Sequence, residues 1–294
     1  MKVVLEGAGE IVTWNAPKSV GFTELKNAVT YGGLDEKIVR DMCPANAFRR
    51  SIHALEENRV IRKLSDSDDK LHFQFTEEYM SNDEFHYRKE ADLILNKTTG
   101  IVHCSSYDLQ KQAQDLIDSN IQTRTKSDVT RIVQKLFNDH GDLFPIREQG
   151  GAYFVPARHL GLCDKIEAML MQIGGKLKRH ELKESDTNKQ NAVEMISDGI
   201  KDMITKYEKY MADMKSDDPK VLSKGMKRIT EIRIKLNAYK DVLADYGDEI
   251  SDTLKKITKG LIESASNGFG SGEADEDGVD INSELGELKE LAHQ

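Results

Sequence analysis

Ten basic side chains in two groups are the residues of this chain whose type and spacing point to chemistry with a partner. Arg49, Arg50, Arg59 and Arg62 form the first group, with Lys63 beside them. Arg124, Lys126, Arg131, Lys135, Arg147 and Arg158 form the second. Cations grouped in this way hold phosphate oxygens and fix a helix on a nucleic acid, while neighbouring polar side chains read base edges. The same faces, solvated, also serve protein-binding modules.

Other chemistry is poorly supplied. His103 and Cys104 are neighbours on an expected strand, so their side chains point to opposite faces. His159 and Cys163 lie four apart, but two ligands without a third or fourth do not make a zinc site. No Ser-His-Asp grouping is assignable. The G-x-G-x-G of residues 268–272 lacks both a following Gly-Lys-Ser/Thr and a preceding strand, so it is not a phosphate loop. The expectation is a non-enzymatic protein with no metal and no cofactor. Three widely separated cysteines (Cys43, Cys104, Cys163) imply no disulfide framework and a reducing, cytoplasmic setting. No stretch approaches the roughly 18 apolar residues of a spanning helix, and the N-terminal apolar run is too short for a signal peptide. No membrane partner is expected.

The elements that must position the basic groups follow a helix-then-hairpin order. Residues 1–20 hold two short strand candidates, one at Val3, Val4 and Leu5 and one from Ile11 to Trp14. Residues 22–31 read as a helix with Phe22, Leu25 and Val29 inward, ended by Gly32-Gly33. A second short helix is expected over 34–42. Pro44 suits a first helical turn, and the helix over 44–58 places Phe48, Ile52 and Leu55 on one face with Arg49, Arg50 and His53 on the other. Strands at 59–64 and 71–76 follow, the second alternating Leu71, Phe73, Phe75 against His72, Gln74, Thr76. Further strands at 85–95 and 101–104 extend the meander. Three helices and a hairpin make the winged-helix order, a variant of the helix-turn-helix.

The order then repeats. Residues 107–120 read as a helix. Thr125 or Ser127 caps the next one, with Asp128 completing a capping box from Thr125. That helix faces Val129, Ile132, Val133, Leu136 and Phe137 inward and Arg131, Gln134 and Lys135 outward. Residues 143–148 and 152–155 make a hairpin whose turn, Gly150-Gly151, supplies positive φ. A helix over 164–173 and a basic edge strand over 176–183 complete the second module.

From residue 186 the period changes. Val193, Ile196, Ile200, Met203, Tyr207, Tyr210 and Met214 alternate spacings of three and four. After a break at 216–219, Leu222, Ile229, Leu236, Leu243, Ile250 and Ile257 recur every seven, joined by Ile232, Tyr239 and Tyr246. This predicts an antiparallel coiled-coil hairpin. The second arm outruns the first, so it needs another surface, such as the globular part or a second copy in a homodimer. Residues 266–294 carry eight acids against one base, which assigns −7 of the net charge of −9 to this tail and leaves −2 for the body. Residues 266–278 have the composition of a disordered linker. Beyond them Leu285, Leu288 and Leu291 align as a short apolar docking motif.

The Gly-Gly-Ala-Tyr-Phe-Val-Pro run at 150–156, after a helix and short strand and before long helices, resembles a group of uncharacterised bacterial and phage proteins with a Gly-Gly-x-Tyr-Phe-Val-Pro hairpin. The resemblance covers residues 107–265. It implies no established activity, carries over no functional residues, and points to a phage or mobile-element origin.

The sequence thus predicts an α+β chain with winged-helix-like modules at 1–105 and 106–183, a helical hairpin at 184–265 and an acidic tail at 266–294. The expected function is binding of DNA, or of a DNA-processing complex, through the basic faces. The alternative is a structural adaptor that binds protein through the coiled coil, the acidic tail and its three leucines.

Overall fold

In the computed structural model the chain is mixed α+β with several antiparallel sheets, described over residues 9–56, 59–81, 84–147, 150–213 and 219–239. The expected strand at Val3 to Leu5, the seam position Met214, the second arm past Tyr239 and the tail with Leu285, Leu288 and Leu291 lie outside the described residues. The chain divides into two compact units. One takes residues 14–141 and 161–178, and the other takes 1–13, 142–160 and 179–294. Neither 105/106 nor 183/184 is a boundary between them. Residues 125–156, read from sequence as one helix-plus-hairpin module, contribute their helix to the first unit and their hairpin to the second.

In the first unit a short strand β2 (Ser19–Gly21) leads into α1 (Phe22–Tyr31), whose entry is closed by Glu24 accepting from the Gly21 N–H. The expected second helix is only a 3-10 turn, Glu36–Ile38. The reason is local: Pro44 opens α2 (Pro44–Ala54) and holds Cys43 extended, at φ −69° and ψ 152°, so no helix can run into it. Strands β3 (Arg59–Asp66), β4 (Lys70–Ser81), β5 (Glu84–Asn96) and β6 (Val102–Cys104) form a meander in that order. Their alternation works as the period predicts. Leu71, Phe75, Ala91, Leu93, Leu95 and Val102 enter one core with Ala47, Phe48, Ile52 and Leu55 of α2 and Leu109, Ala113 and Ile117 of α3 (Tyr107–Gln122). Strands β4 and β5 outrun their neighbours. Pairing of β3 stops at Glu77 and that of β6 begins at Leu93, so Glu78 to Ser81 and Glu84 to Tyr87 form a two-stranded ribbon. Tyr79, Met80 and Tyr87 are exposed on it.

The chain continues through β7 (Thr123–Thr125), which pairs antiparallel with β2, into α4 (Lys126–His140). Helix α5 (Leu160–Gln172) places Lys165 and Met169 against Gly32, where any Cβ would strike the Lys165 carbonyl.

In the second unit the hairpin of β8 (Phe144–Pro145) and β9 (Tyr153–Val155) turns at Gly150 and Gly151, with φ of 69° and 87°. It is no free wing: β9 pairs with β1 (Glu10–Asn15), and the sheet order is β10-β1-β9-β8 with β10 spanning Lys176–Glu181. The basic edge strand expected there is thus present at the sheet edge. Arg179 and Glu10 pair through two bonds, at 2.5 and 3.1 Å, across these adjacent strands.

Helix α6 (Asp186–Asp213) is about 42 Å long at 1.5 Å per residue, and α7 (Pro219–Ala238) follows it. The Arg228 guanidinium lies over the Tyr210 ring at 4.5 Å, while Gly199 and Tyr239 both meet the Phe144 ring. Late residues of one helix therefore match early residues of the other, and the two run antiparallel. Ala192, Ile196, Ile200, Ile204 and Tyr207 of α6 are buried, as are Ile232 of α7 and Tyr239 just beyond it.

A Cβ on Gly199 would collide with the Phe144 ring. Gly199→Ala is expected to destabilise the fold by about 1–3 kcal/mol through overpacking, despite alanine's better helix propensity. The check is a lowered urea midpoint at unchanged slope.

Candidate nucleic-acid interface and a buried carboxylate cluster

The outer face of α4 is held in place from behind. Thr125 caps the helix, its hydroxyl accepting from the Asp128 N–H at 3.3 Å while Asp128 accepts from the Thr125 N–H at 2.8 Å. Arg50, projecting from α2, then grips both oxygens of Asp128 at 2.7 and 2.6 Å. Burial alone would raise the Asp128 carboxyl. The bonds from Arg50 and Thr125, with the Arg50 charge, outweigh it and lower the pKa from 3.8 to about 2. Arg50 thus joins two helices.

Arg124 corrects a surface reading. It is 4% exposed and its guanidinium donates to the carbonyls of Asn120, Ile121, Thr123 and Arg40 while lying over the Phe22 ring at 4.4 Å. Burial lowers its pKa, and it satisfies the orphan carbonyls at the end of α3.

Most other expected contacts also have partners. Arg49 pairs with Asp66 at 3.0 Å, an oxygen shared more loosely with Lys63, and Arg59 pairs with Glu90 at 2.7 Å. Arg147 closes its own hairpin by donating to the Gly150 carbonyl at 2.8 Å. Lys135 meets Asp139 at 2.6 Å on the exposed side of α4. Among the described residues, Arg62, Lys126 and Arg131 are exposed and have no acidic partner.

Arg158 belongs to a cluster that the basic-group reading missed. Asp142, buried after the end of α4, accepts at one oxygen from Arg158 at 2.7 Å and the Tyr239 hydroxyl at 2.7 Å. His159 approaches the same oxygen at 2.9 Å, and Lys235 stands 3.1 Å from the other. The Arg158 guanidinium also stacks over the Tyr239 ring at 4.1 Å and donates to the Ala238 carbonyl at the end of α7. Burial acts to raise the Asp142 carboxyl, but bonds from His159, Tyr239 and Arg158 and the Lys235 charge hold it well below the usual carboxylate range. Burial, with Asp142 beside it, pushes the Tyr239 hydroxyl up. Neither group exchanges a proton near neutral pH, so the cluster fastens α7 to β8 and the turn after β9. The one sequence signal for it was the seam position of Tyr239. Lys235 lies one helical turn before it on α7, and the remaining members come from segments with no shared period.

Among the described residues no group of three or more His, Cys, Asp or Glu side chains is placed to hold a metal ion. His159 faces Asp142, and Cys163 is buried. No described helix is long and apolar enough to cross a membrane.

Residues 9–266 match the family model DUF6744, described as a family of unknown function. No curated protein and no solved structure matches the chain.

Because the folded-state value of Asp128 lies below the unfolded one, its contribution is full above pH 3.8 and is lost as pH falls through about 2. Asp128→Asn is expected to remove about 2 kcal/mol at pH 7, with the gap to the native chain closing in that acid window, read by denaturation at successive pH values. Asp142→Asn strips the carboxylate from Arg158 and Lys235 and is expected to cost about 3–5 kcal/mol. An unchanged urea midpoint would refute the fastening role.

Proposed function

We propose that this chain, which belongs to the DUF6744 family, is a non-enzymatic accessory protein that binds nucleic acid through the solvent face of α4. The observation that carries the reading is the contrast on that helix. Its base is fixed by the Thr125 cap and the Arg50–Asp128 pair, while Lys126 and Arg131 project without acidic partners and Lys135 has only an exposed neighbour, Asp139. A helix positioned in advance presents its cations with little ordering cost. In this reading α2 and α4 are the recognition helices of two winged-helix-like modules, and α6 with α7 begins a coiled-coil arm. A phage or mobile-element source accords with such an accessory role.

A second reading, a structural adaptor, is favoured by a different observation. Seven of the ten expected contacts, Arg49, Arg50, Arg59, Arg124, Lys135, Arg147 and Arg158, are engaged by carboxylates or carbonyls within the chain. The β4–β5 ribbon meanwhile exposes Tyr79, Met80 and Tyr87, a surface suited to protein contact.

Three phosphate contacts give a slope of about −2.7 for log affinity against log salt. Duplex DNA is expected to shift with that slope in an electrophoretic assay, and Arg131→Glu with Lys135→Glu to abolish the shift. Equal binding by the double variant would remove α4 from the interface. Capture of the same protein partners after nuclease, lost in Tyr79→Ser with Tyr87→Ser, would establish the adaptor instead.

A further inference from the structure

The exposed surface of α4 is ordered by residue type. With 3.6 residues per turn, Ser127, Arg131 and Asn138 fall within about 40° of one another around the helix. That line lies opposite the buried Val129, Ile132, Val133, Leu136 and Phe137, and all three residues on it are exposed. The lysines stand elsewhere: Lys126 opens the helix and Lys135 flanks the line, both exposed. Acid does not oppose them. Asp128 is held by Arg50 on both oxygens, and Asp139 is paired with Lys135. The outermost line thus carries side chains that hydrogen-bond with direction, and the point charges sit to its sides.

That division matches the two kinds of contact a duplex offers. Arginine pairs with guanine O6 and N7, asparagine with adenine N6 and N7, and serine with either, while lysine holds phosphate. The shape narrows the nucleic acid further. A helix about 10–12 Å across enters the B-form major groove, about 12 Å wide, but not the deep, narrow groove of A-form RNA. Single strands are held by stacking on aromatic rings, and α4 exposes no Phe, Tyr or Trp.

We propose that α4 reads base sequence in the major groove of duplex DNA, with Arg131 on a guanine, Asn138 on an adenine and Ser127 as a third contact. Lys126 and Lys135 hold the flanking phosphates. This rests on the reading of α4 as the nucleic-acid interface and adds sequence specificity to it. Ser127 and Asn138 are about 16 Å apart along the helix, a reach of about five base pairs, and Arg131 and Asn138 about 10 Å, or three base pairs.

The test incubates the full-length chain with a randomised DNA duplex library and sequences what is retained. The expected result is an enriched guanine and adenine about three base pairs apart. Arg131→Ala is expected to lose the guanine preference and Asn138→Ala the adenine preference, each by about 5- to 150-fold. Lys126→Gln and Lys135→Gln should instead weaken binding to every sequence and lower the salt slope by about 0.9 each, with the enriched pair unchanged. Urea midpoints equal to that of the native chain confirm that each variant is folded. Retention of duplexes without enrichment overturns the specificity and leaves the α4 reading standing, as does a motif indifferent to both alanine substitutions. Retention of no duplex overturns both, and stronger retention of a single-stranded or RNA library overturns the assignment to duplex DNA.

Discussion

A charge taken out of water must be met by opposite charge or by hydrogen bonds, and this constraint organises both units. In one, Asp142 gathers Arg158 and His159 from the turn after β9 and Lys235 and Tyr239 from the end of α7. Without that convergence the end of α7 has little to hold it: its last carbonyl, its last ring and its last lysine all address the same side-chain group. In the other unit the equivalent positions are Asp128, which ties α4 to α2, and Arg124, which gathers four carbonyls under the Phe22 ring. Charged residues here fasten α4 to α2 and α7 to the segments flanking the β8–β9 hairpin.

That bears directly on function. Counting arginines overstates the basic surface, because an arginine clamped on both oxygens of a carboxylate presents little net field to a phosphate. What remains of the ten is narrow: Arg62, Lys126 and Arg131, with Lys135 exposed beside Asp139. A body charge near neutrality then argues for a partner recognised at a few positions, since affinity from counterion release scales with the number of phosphates neutralised.

Much of the architecture was legible in the sequence, and the reasons are local. Alternation at Leu71, Phe73 and Phe75, the Thr125–Asp128 cap, the positive-φ pair Gly150-Gly151 and the helical periods of α2, α3 and α4 are set within a few residues of themselves, and each appears as expected. A helix over 34–42 is suggested by its apolar and helix-favouring residues, but the extended geometry that Pro44 imposes on Cys43 leaves only the 3-10 turn Glu36–Ile38. The pairing of β9 with β1 and the Asp142 cluster were invisible for a different cause. Both join segments about a hundred residues or more apart, and neither a period of two nor one of 3.6 records which partner a strand or a carboxylate will find. Arg124 was misassigned on similar grounds, since a guanidinium facing carbonyls and one facing solvent have the same sequence.

The unit that holds the Asp142 cluster is assembled from three pieces of chain, residues 1–13, 142–160 and 179 onward. The ribosome delivers β1 first, yet its partner β9 emerges some 140 residues later, after on the order of ten seconds at ordinary elongation rates. In that interval Ile11, Val12 and Trp14 have an open edge and no strand to pair with. The α2–α3 core with its meander, which is contiguous from residue 44 to residue 122, can close meanwhile. β1 therefore waits on a partner made much later, whereas the α2–α3 core needs nothing beyond residue 122.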